Sequence, residues 1–419
     1  MAESLPYPRM RAVEAFPIDQ NGQQWIVLHD PSGLAAGPIT LSPAALFVLS
    51  LLDGRRGPDE LSAAFARQFG EALPREHIEG LIEQLDATWY LDSPAFAERF
   101  RTLVAEYRSA PARMCSSPGA CGVESDDTAT QAEEIRRTLA RVLAGAQAAK
   151  GPSTDRRLTG LIAPHLDFGR GAPCYADAYA ALAGAGAAGR FVVLGTNHFG
   201  RGGSVVATRK DFETPLGRTR TDRRFLEALE AGCGVDLCVH EFDHAREHSI
   251  ELQVLMLQYL FGAESFQIVP VLCPDVCGPT GTRPRNGDGV DVKRFAEVLG
   301  DLIRSDETAT VIVAGADLSH VGSRFGDDCE LGPTFLDDVE RQDRQALEDV
   351  VAGMGSGFVE TLTRHENSTR VCSAGCIYTL ISALDGAEGE LLRYHQAVDV
   401  PNGTCVTCCA AAFWQPSAP

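Results

Sequence analysis

What this chain of 419 residues lacks narrows its function before any motif is considered. No apolar run reaches the roughly eighteen residues that a membrane-spanning helix needs, so no membrane association is expected. Residues 1–20 carry proline and acidic groups where a secretion signal would need an apolar core, and a cytoplasmic protein is expected. A basic excess is also missing. The formal net charge of -20 gives little with which to displace counterions, so nucleic acid is not an expected partner. Glycines 195, 200, 202 and 203 cluster, but neither a GxGxxG nor a Walker spacing is present, which argues against a phosphate cradle. The GxSxG frame of a nucleophile elbow is absent around Ser319, and no internal repeat occurs.

Cysteine, by contrast, is plentiful. The thirteen cysteines lack a secretory context and are read as thiols rather than a disulfide framework. Several sit in apolar runs, where a small buried hydrophobe is the ordinary role.

The pattern along the chain divides it into three. Residues 1–105 form a small module: a strand at Gln24–His29, then helices opening at Pro43, Pro58 and Arg75. Trp89-Tyr90-Leu91 is expected to start a wing strand, giving a winged-helix-like unit. Acidic residues outnumber basic ones there, which disfavours DNA binding. Residues 106–131, rich in Ser, Pro, Gly, Ala and Asp, are expected to be a linker. In it Cys115 and Cys121 are too few for a closed metal knuckle. Residues 132–419 alternate apolar strand runs with helical patterns, which predicts an α/β domain with a mainly parallel central sheet flanked by helices.

The chemistry-bearing residues lie mostly in short cassettes. Leu161-Ile162-Ala163-Pro164-His165 is a strand stopped by proline, with His165 presented beyond it and Asp167 and Arg170 placed to orient a ligand or contact substrate. Phe191–His198 repeats the arrangement, and Asn197 is a further substrate-contact candidate. Two strand-terminal histidines on one sheet favour a metal pair. Glu247-His248 opens an apolar helix. Glu247 either caps that helix or fixes the tautomer of His248. A strand at Val311–Gly315 leads to Asp317 and His320, a candidate carboxylate and general base. Cys372 and Cys376 flank a helix start, a position that favours the thiolate and suits a metal ligand or a nucleophile. His240-Glu241-Phe242-Asp243-His244 matches HExxH, the zinc-hydrolase signature, which requires an α-helix.

Taken with Phe212–Gly217, the order of these cassettes over about residues 155–415 resembles the Memo family, specifically the bacterial AmmeMemoRadiSam system protein B group. The resemblance implies a fold related to class III extradiol dioxygenases, whose non-haem iron is held by two histidines and a carboxylate. In the Memo family a cysteine takes the carboxylate's place. It implies His165, His198 and Cys372 as ligands, with Asp317 and His320 beside an open coordination position. Ser373 stands where the family commonly has glycine, and Cys376 adds a second thiol, so the ligand cysteine is open between the two. N,N,S ligation suits iron(II) or copper, and zinc is also compatible. The group name implies a radical SAM partner. His29-Asp30-Pro31-Ser32-Gly33, Leu41-Ser42 and Leu51–Arg56 resemble a PqqD-like, peptide-recognising module, which binds peptide along a strand edge. The expected function is a metal-dependent, oxygenase-like redox protein acting on a peptide or small molecule. The alternatives are a non-catalytic peptide-binding accessory protein and a zinc-dependent hydrolase.

Overall fold

Alternating apolar and polar residues set the first strands. β1 (Glu14–Gln20) and β2 (Gln23–His29) form a hairpin. Its turn, Asn21-Gly22, has φ of 57° and 75°, the left-handed pair that two-residue hairpins demand. β3 (Ile39–Leu41) pairs with the other edge of β2. Four helices follow: α1 (Pro43–Ser50), α2 (Pro58–Phe69), α3 (Arg75–Ala87) and α4 (Pro94–Ser109). Proline opens three of them, at positions where its missing N–H costs nothing. Ile26, Leu28, Val48, Leu61, Ile78 and Leu85 form their shared core.

Trp89-Tyr90-Leu91 is not a wing strand. Trp89 sits at φ 63°, its N–H bonds the Asp86 carbonyl (3.0 Å), and Tyr90 N–H bonds the Leu85 carbonyl (2.8 Å). That is a left-handed helix stop on α3, and Leu91 then makes only an isolated antiparallel bridge with Met10 before the chain enters α4. The winged-helix expectation is therefore replaced by three strands followed by four helices.

The structure, a computed structural model, describes residues 5–116, 123, 125, 127–147, 156–328 and 330–416. The chain divides into two units, Met1–Ala110 and Pro111–Pro419. The division falls a few residues beyond the expected 105, because α4 runs on to Ser109. The expected linker is not featureless either. β4 (Ala112–Met114) pairs with the edge of the second unit's sheet. Cys121 lies outside the described residues.

The second unit continues with α5 (Thr128–Ala144), β5 (Arg156–Ala163), α6 (Ala172–Ala185), β6 (Arg190–Thr196), β7 (Val206–Ala207), β8 (Asp211–Thr214) and β9 (Gly217–Thr221). Then come α7 (Arg223–Cys233), α8 (His248–Phe261), β10 (Gln267–Cys273), α9 (Val292–Ser305), β11 (Thr310–Gly315) and β12 (Asp317–Val321). α10 (Pro333–Val351), α11 (Gly355–Thr363), α12 (Ala374–Ala383), β13 (Glu388–Asp399) and β14 (Thr404–Pro416) complete it. Among the described residues these strands make one sheet in the order β12-β14-β5-β11-β6-β10-β9-β8-β4, with β13 on β14 and β7 on β10. The centre, β5-β11-β6-β10, is parallel, and both flanks include antiparallel pairs.

β6 and β11 are buried along their whole length, as strands covered on both faces must be. One face packs Leu139, Tyr175, Tyr179, Leu252 and Leu255 from α5, α6 and α8. The other packs Leu226, Phe295, Leu347, Phe358 and Ile377 from α7 and α9–α12. Each such side chain contributes about 1.5–3 kcal/mol by leaving water. Residues 235–239 form a bend and turn, and no helix among the described residues is long and apolar enough to cross a membrane.

Candidate metal centre

The parallel strands β5, β11 and β6 end on the same side of the sheet, and their ends build the site. β5 stops at Ala163 because Pro164 cannot extend the ladder, and His165 follows. His198 stands two residues past the end of β6. β11 lies between these strands and ends at Gly315, whose carbonyl accepts the His165 Nδ1–H at 2.9 Å. That fixes the tautomer and leaves Nε2 facing the Cys372 sulfur, 3.7 Å away. Cys372 arrives from the opposite layer, just before α12.

α8 closes the site from the other face, and two glycines let it come close. A β-carbon at Gly195 would lie 2.5 Å from Ser249 Oγ, and one at Gly315 would lie 2.5 Å from the Ser249 carbonyl. Gly195 thus serves helix packing. Glu247, buried at the α8 N-cap, accepts the Ser249 N–H (3.0 Å) and both the backbone N–H and ring Nδ1–H of His198 (each 3.1 Å). This one carboxylate caps α8 and also fixes a ring tautomer, that of His198 rather than the expected His248. The ring it holds closest is His198, with His248 Nδ1 at 3.4 Å.

The ligand atoms of His165, His198 and Cys372 all lie within 4.8 Å of one another. A second group, His198, Glu247 and His248, meets the same criterion. Glu247 there is already occupied by two N–H groups and a ring, so it orients His198 rather than offering a separate site. The three rings cluster, with His165–His198, His165–His248 and His198–His248 centroids at 5.0, 5.4 and 5.2 Å.

Charge in the pocket follows from these partners. Burial disfavours the Cys372 thiolate, but His165, His198 and His320 outweigh it and hold the thiol well below its usual range. Burial opposes protonation of His165 and His198, yet Asp317 with Cys372, and Glu247 with Cys372, raise them to about 9 and about 10. A cation bound by these groups would displace their protons. His248 goes the other way. Burial and the neighbouring His165 lower it to about 4, so it is a neutral imidazole at neutral pH.

Asp317 opens β12 and is buried. Its carboxylate accepts the backbone N–H groups of His165 (3.1 Å) and Leu166 (3.3 Å) and stands 3.4 Å from His165 Nε2. Burial pushes this carboxyl up, with His165 opposing. β12 pairs Asp317 with Cys408 and His320 with Val406, three residues against two. That bulge turns Asp317 and His320 to one face, although residues three apart on a regular strand would point apart. His320 Nδ1–H donates to the Leu318 carbonyl at 3.1 Å.

Not every expected residue joins the cluster. Asp167 accepts the Gly169 and Arg170 N–H groups and pairs with the exposed Arg170 guanidinium, so the two are engaged with one another in a surface turn. Asn197 donates to Asp243 Oδ2 at 3.0 Å, a contact that shapes the loop beyond His198. Cys376 is buried behind Cys372, where burial and Cys273 hold its thiol well above the usual range. Of the two candidate cysteines, only Cys372 offers its sulfur beside both histidines.

The HExxH reading fails on its geometric requirement. Glu241–Arg246 is a short 3-10 turn, so the i, i+4 alignment of an α-helix is not made. His244 is buried with Nε2–H on the Val206 carbonyl (3.1 Å), and burial lowers it to about 3. Among the described residues no metal-capable group includes His240 or His244.

Three contributors were not among the candidate site residues. Gln253, on α8, donates to the Pro164 carbonyl (2.8 Å) and holds the turn before His165. Ser373 links Asp317, Thr196 and Cys372. Arg113, on β4, is buried against Glu251 and donates to the Glu247 carbonyl (2.7 Å) and the His244 carbonyl (3.1 Å).

Fold and site together define an α/β protein with a candidate His-His-Cys pocket at the carboxyl ends of a parallel sheet. The Memo-like protein family model matches residues 129–412, and the chain belongs to that family. A MEMO1 family protein of Methanopyrus kandleri is 33% identical over 258 residues, 60% of this chain and 79% of that protein. One from Aquifex aeolicus is 25% identical over 405 residues, 96% of this chain and 99% of that protein, so its match includes the first unit. One from Methanosarcina acetivorans is 27% identical over 271 residues, 64% of this chain and 88% of that protein.

Proposed function

We propose that the protein is a non-haem metal-dependent redox protein of oxygenase-like type, with iron(II) or copper held by His165 Nε2, His198 Nε2 and Cys372 Sγ. One observation carries this reading: three ligand atoms within 4.8 Å, with both histidine rings oriented through their other nitrogen by a buried acceptor. The donor set fits, since two imidazoles and a thiolate suit iron(II) or copper, and they bind zinc as well. A metal bound there supplies one-electron redox chemistry and open coordination positions. The protein's own groups do the rest. Asp317 and His320 hold and move a proton beside the pocket, and neutral His248 presents a second acceptor.

The first unit supports a peptide role. Among the described strands β1 pairs with β2 alone, an edge position along which an extended peptide can add, as in PqqD-like modules. Pro17, which has no N–H to give, limits that pairing to part of the strand. The resemblance to the AmmeMemoRadiSam group makes a radical SAM protein the proposed partner, testable by copurification.

Anaerobic purification followed by elemental analysis tests the centre. About one iron or copper per chain is expected, lost in His165→Ala, His198→Ala and Cys372→Ala. Full occupancy in all three variants rules the site out. Metal-free protein that binds peptide tightly through residues 1–105 would favour the non-catalytic accessory reading.

A further inference from the structure

Ser373 occupies the N-cap of α12, yet its hydroxyl makes no capping bond to that helix. A serine there ordinarily accepts an N–H from the first turn. Here the side chain is fully buried and turned inward, where its oxygen accepts the Asp317 N–H at 3.1 Å. The same oxygen is 2.9 Å from Thr196 Oγ1 at the end of β6 and 3.3 Å from the Cys372 sulfur. Thr196 Oγ1 is in turn 3.6 Å from Cys376 Sγ. One hydroxyl therefore meets the start of β12, the end of β6 and the sulfur that precedes α12.

Counting protons orients this chain. A metal-bound sulfur is a thiolate and can only accept. Ser373 has one proton, and its oxygen already receives the Asp317 N–H. The arrangement that uses every donor once runs from the Cys376 thiol to Thr196, from Thr196 to Ser373, and from Ser373 to Cys372. In this arrangement the two lone pairs of Ser373 Oγ take the Asp317 N–H and the Thr196 O–H, whereas reversing it would turn the Ser373 proton to Thr196 and leave the Cys372 sulfur without that donor.

We propose that Ser373 is a positioning residue that donates a hydrogen bond to the Cys372 sulfur, with Thr196 and Cys376 behind it, and so sets the donor strength of the thiolate toward its metal. Hydrogen bonds to a ligand sulfur withdraw electron density from it and are one means by which proteins tune thiolate-bound metals. Buried groups in series polarise one another, so Thr196 acts in the same direction as Ser373 but less strongly. The inference rests on Cys372 being a ligand.

Cobalt(II) added to the full-length protein is the probe, read by the near-ultraviolet sulfur-to-cobalt charge-transfer band. Ser373→Ala should leave cobalt stoichiometry intact and move the band to longer wavelength, because an unbonded thiolate gives up charge more easily. Thr196→Val, which keeps the side-chain shape and does not touch the sulfur, should move it the same way by less. A band that stays in place or moves to shorter wavelength in cobalt-loaded Ser373→Ala overturns the proposal. Should Ser373→Ala fail to fold, Thr196→Val decides by the same criterion. Wild-type protein that takes up no cobalt, or shows no sulfur band, would sink the metal reading itself, a result distinct from an unmoved band.

Discussion

Two places in this chain bring histidine and glutamate together, and they behave in opposite ways. His240 and His244 sit around Glu241 in a compact pentapeptide, whereas His198 and Glu247 lie 49 residues apart. The compact group falls on a 3-10 turn. His244 points into the core, Glu241 accepts from Thr208 (3.1 Å), and Asp243 takes the Arg201 and Gly202 N–H groups. The dispersed group converges at strand ends, where each ring has a partner that aims its other nitrogen at one point. Spacing along the chain is informative only when the element that carries it has the matching period. Strand ends impose convergence whatever the separation.

Removing one histidine from each group should have the largest and most unequal effects. His198→Ala should lower bound metal from about one per chain to a trace, while His240→Ala should keep the wild-type content. Elemental analysis of both variants decides it, and equal losses would mean that the compact group takes part after all.

The next largest effect concerns the support beneath the dispersed group. Arg113 and Glu251 are buried to within 1% of full burial, on β4 and α8. Arg113→Met leaves Glu251 charged and buried, which should cost roughly 3–5 kcal/mol of stability in a denaturant titration. Arg113→Met with Glu251→Leu should recover most of that loss. If the double variant is no more stable than the single one, the ion pair is not what the fold depends on there.

A smaller effect separates orientation from ligation. Glu247→Gln keeps the shape of the side chain but weakens the hold on His198 Nδ1–H, so metal affinity should fall about 10–100-fold while stoichiometry at saturation is unchanged. Competitive titration with a chelator measures this. An unchanged affinity would make Glu247 a helix cap only.

These cases also show what was legible. His165 and His198 could be found because a strand followed by a histidine is a local pattern, and α2 and α3 because their helical period is local. Arg113 could not. Its partners are 131 and 138 residues away, and its surroundings have the composition of a linker. Ser373 stood out only as a departure from the family's glycine, and its role was hidden because a serine before a helix is explained by capping, and nothing in the sequence says that the cap is not made. The wing strand failed for a related reason. Trp-Tyr-Leu has strand-forming composition, and only a glycine or asparagine would have signalled the left-handed stop that Trp89 makes.

The buried histidine of the compact group makes stability depend on pH. His244 is lowered to about 3 in the folded chain, first by burial, against an ordinary value of 6.5. The unfolded chain therefore binds a proton at His244 over the window from about 6.5 down to about 3, and the folded chain does not. By linkage, its contribution to stability is fully present above pH 6.5 and is lost as pH falls through that window. Between pH 7 and pH 5 the loss from this one residue is about 2 kcal/mol. His244→Phe removes the titrating group, so it should be less stable at pH 7 yet lose about 2 kcal/mol less on acidification than wild type. Denaturant titrations at the two pH values read the difference directly. Equal slopes would show that His244 is protonated in the folded chain and that burial does not hold it neutral.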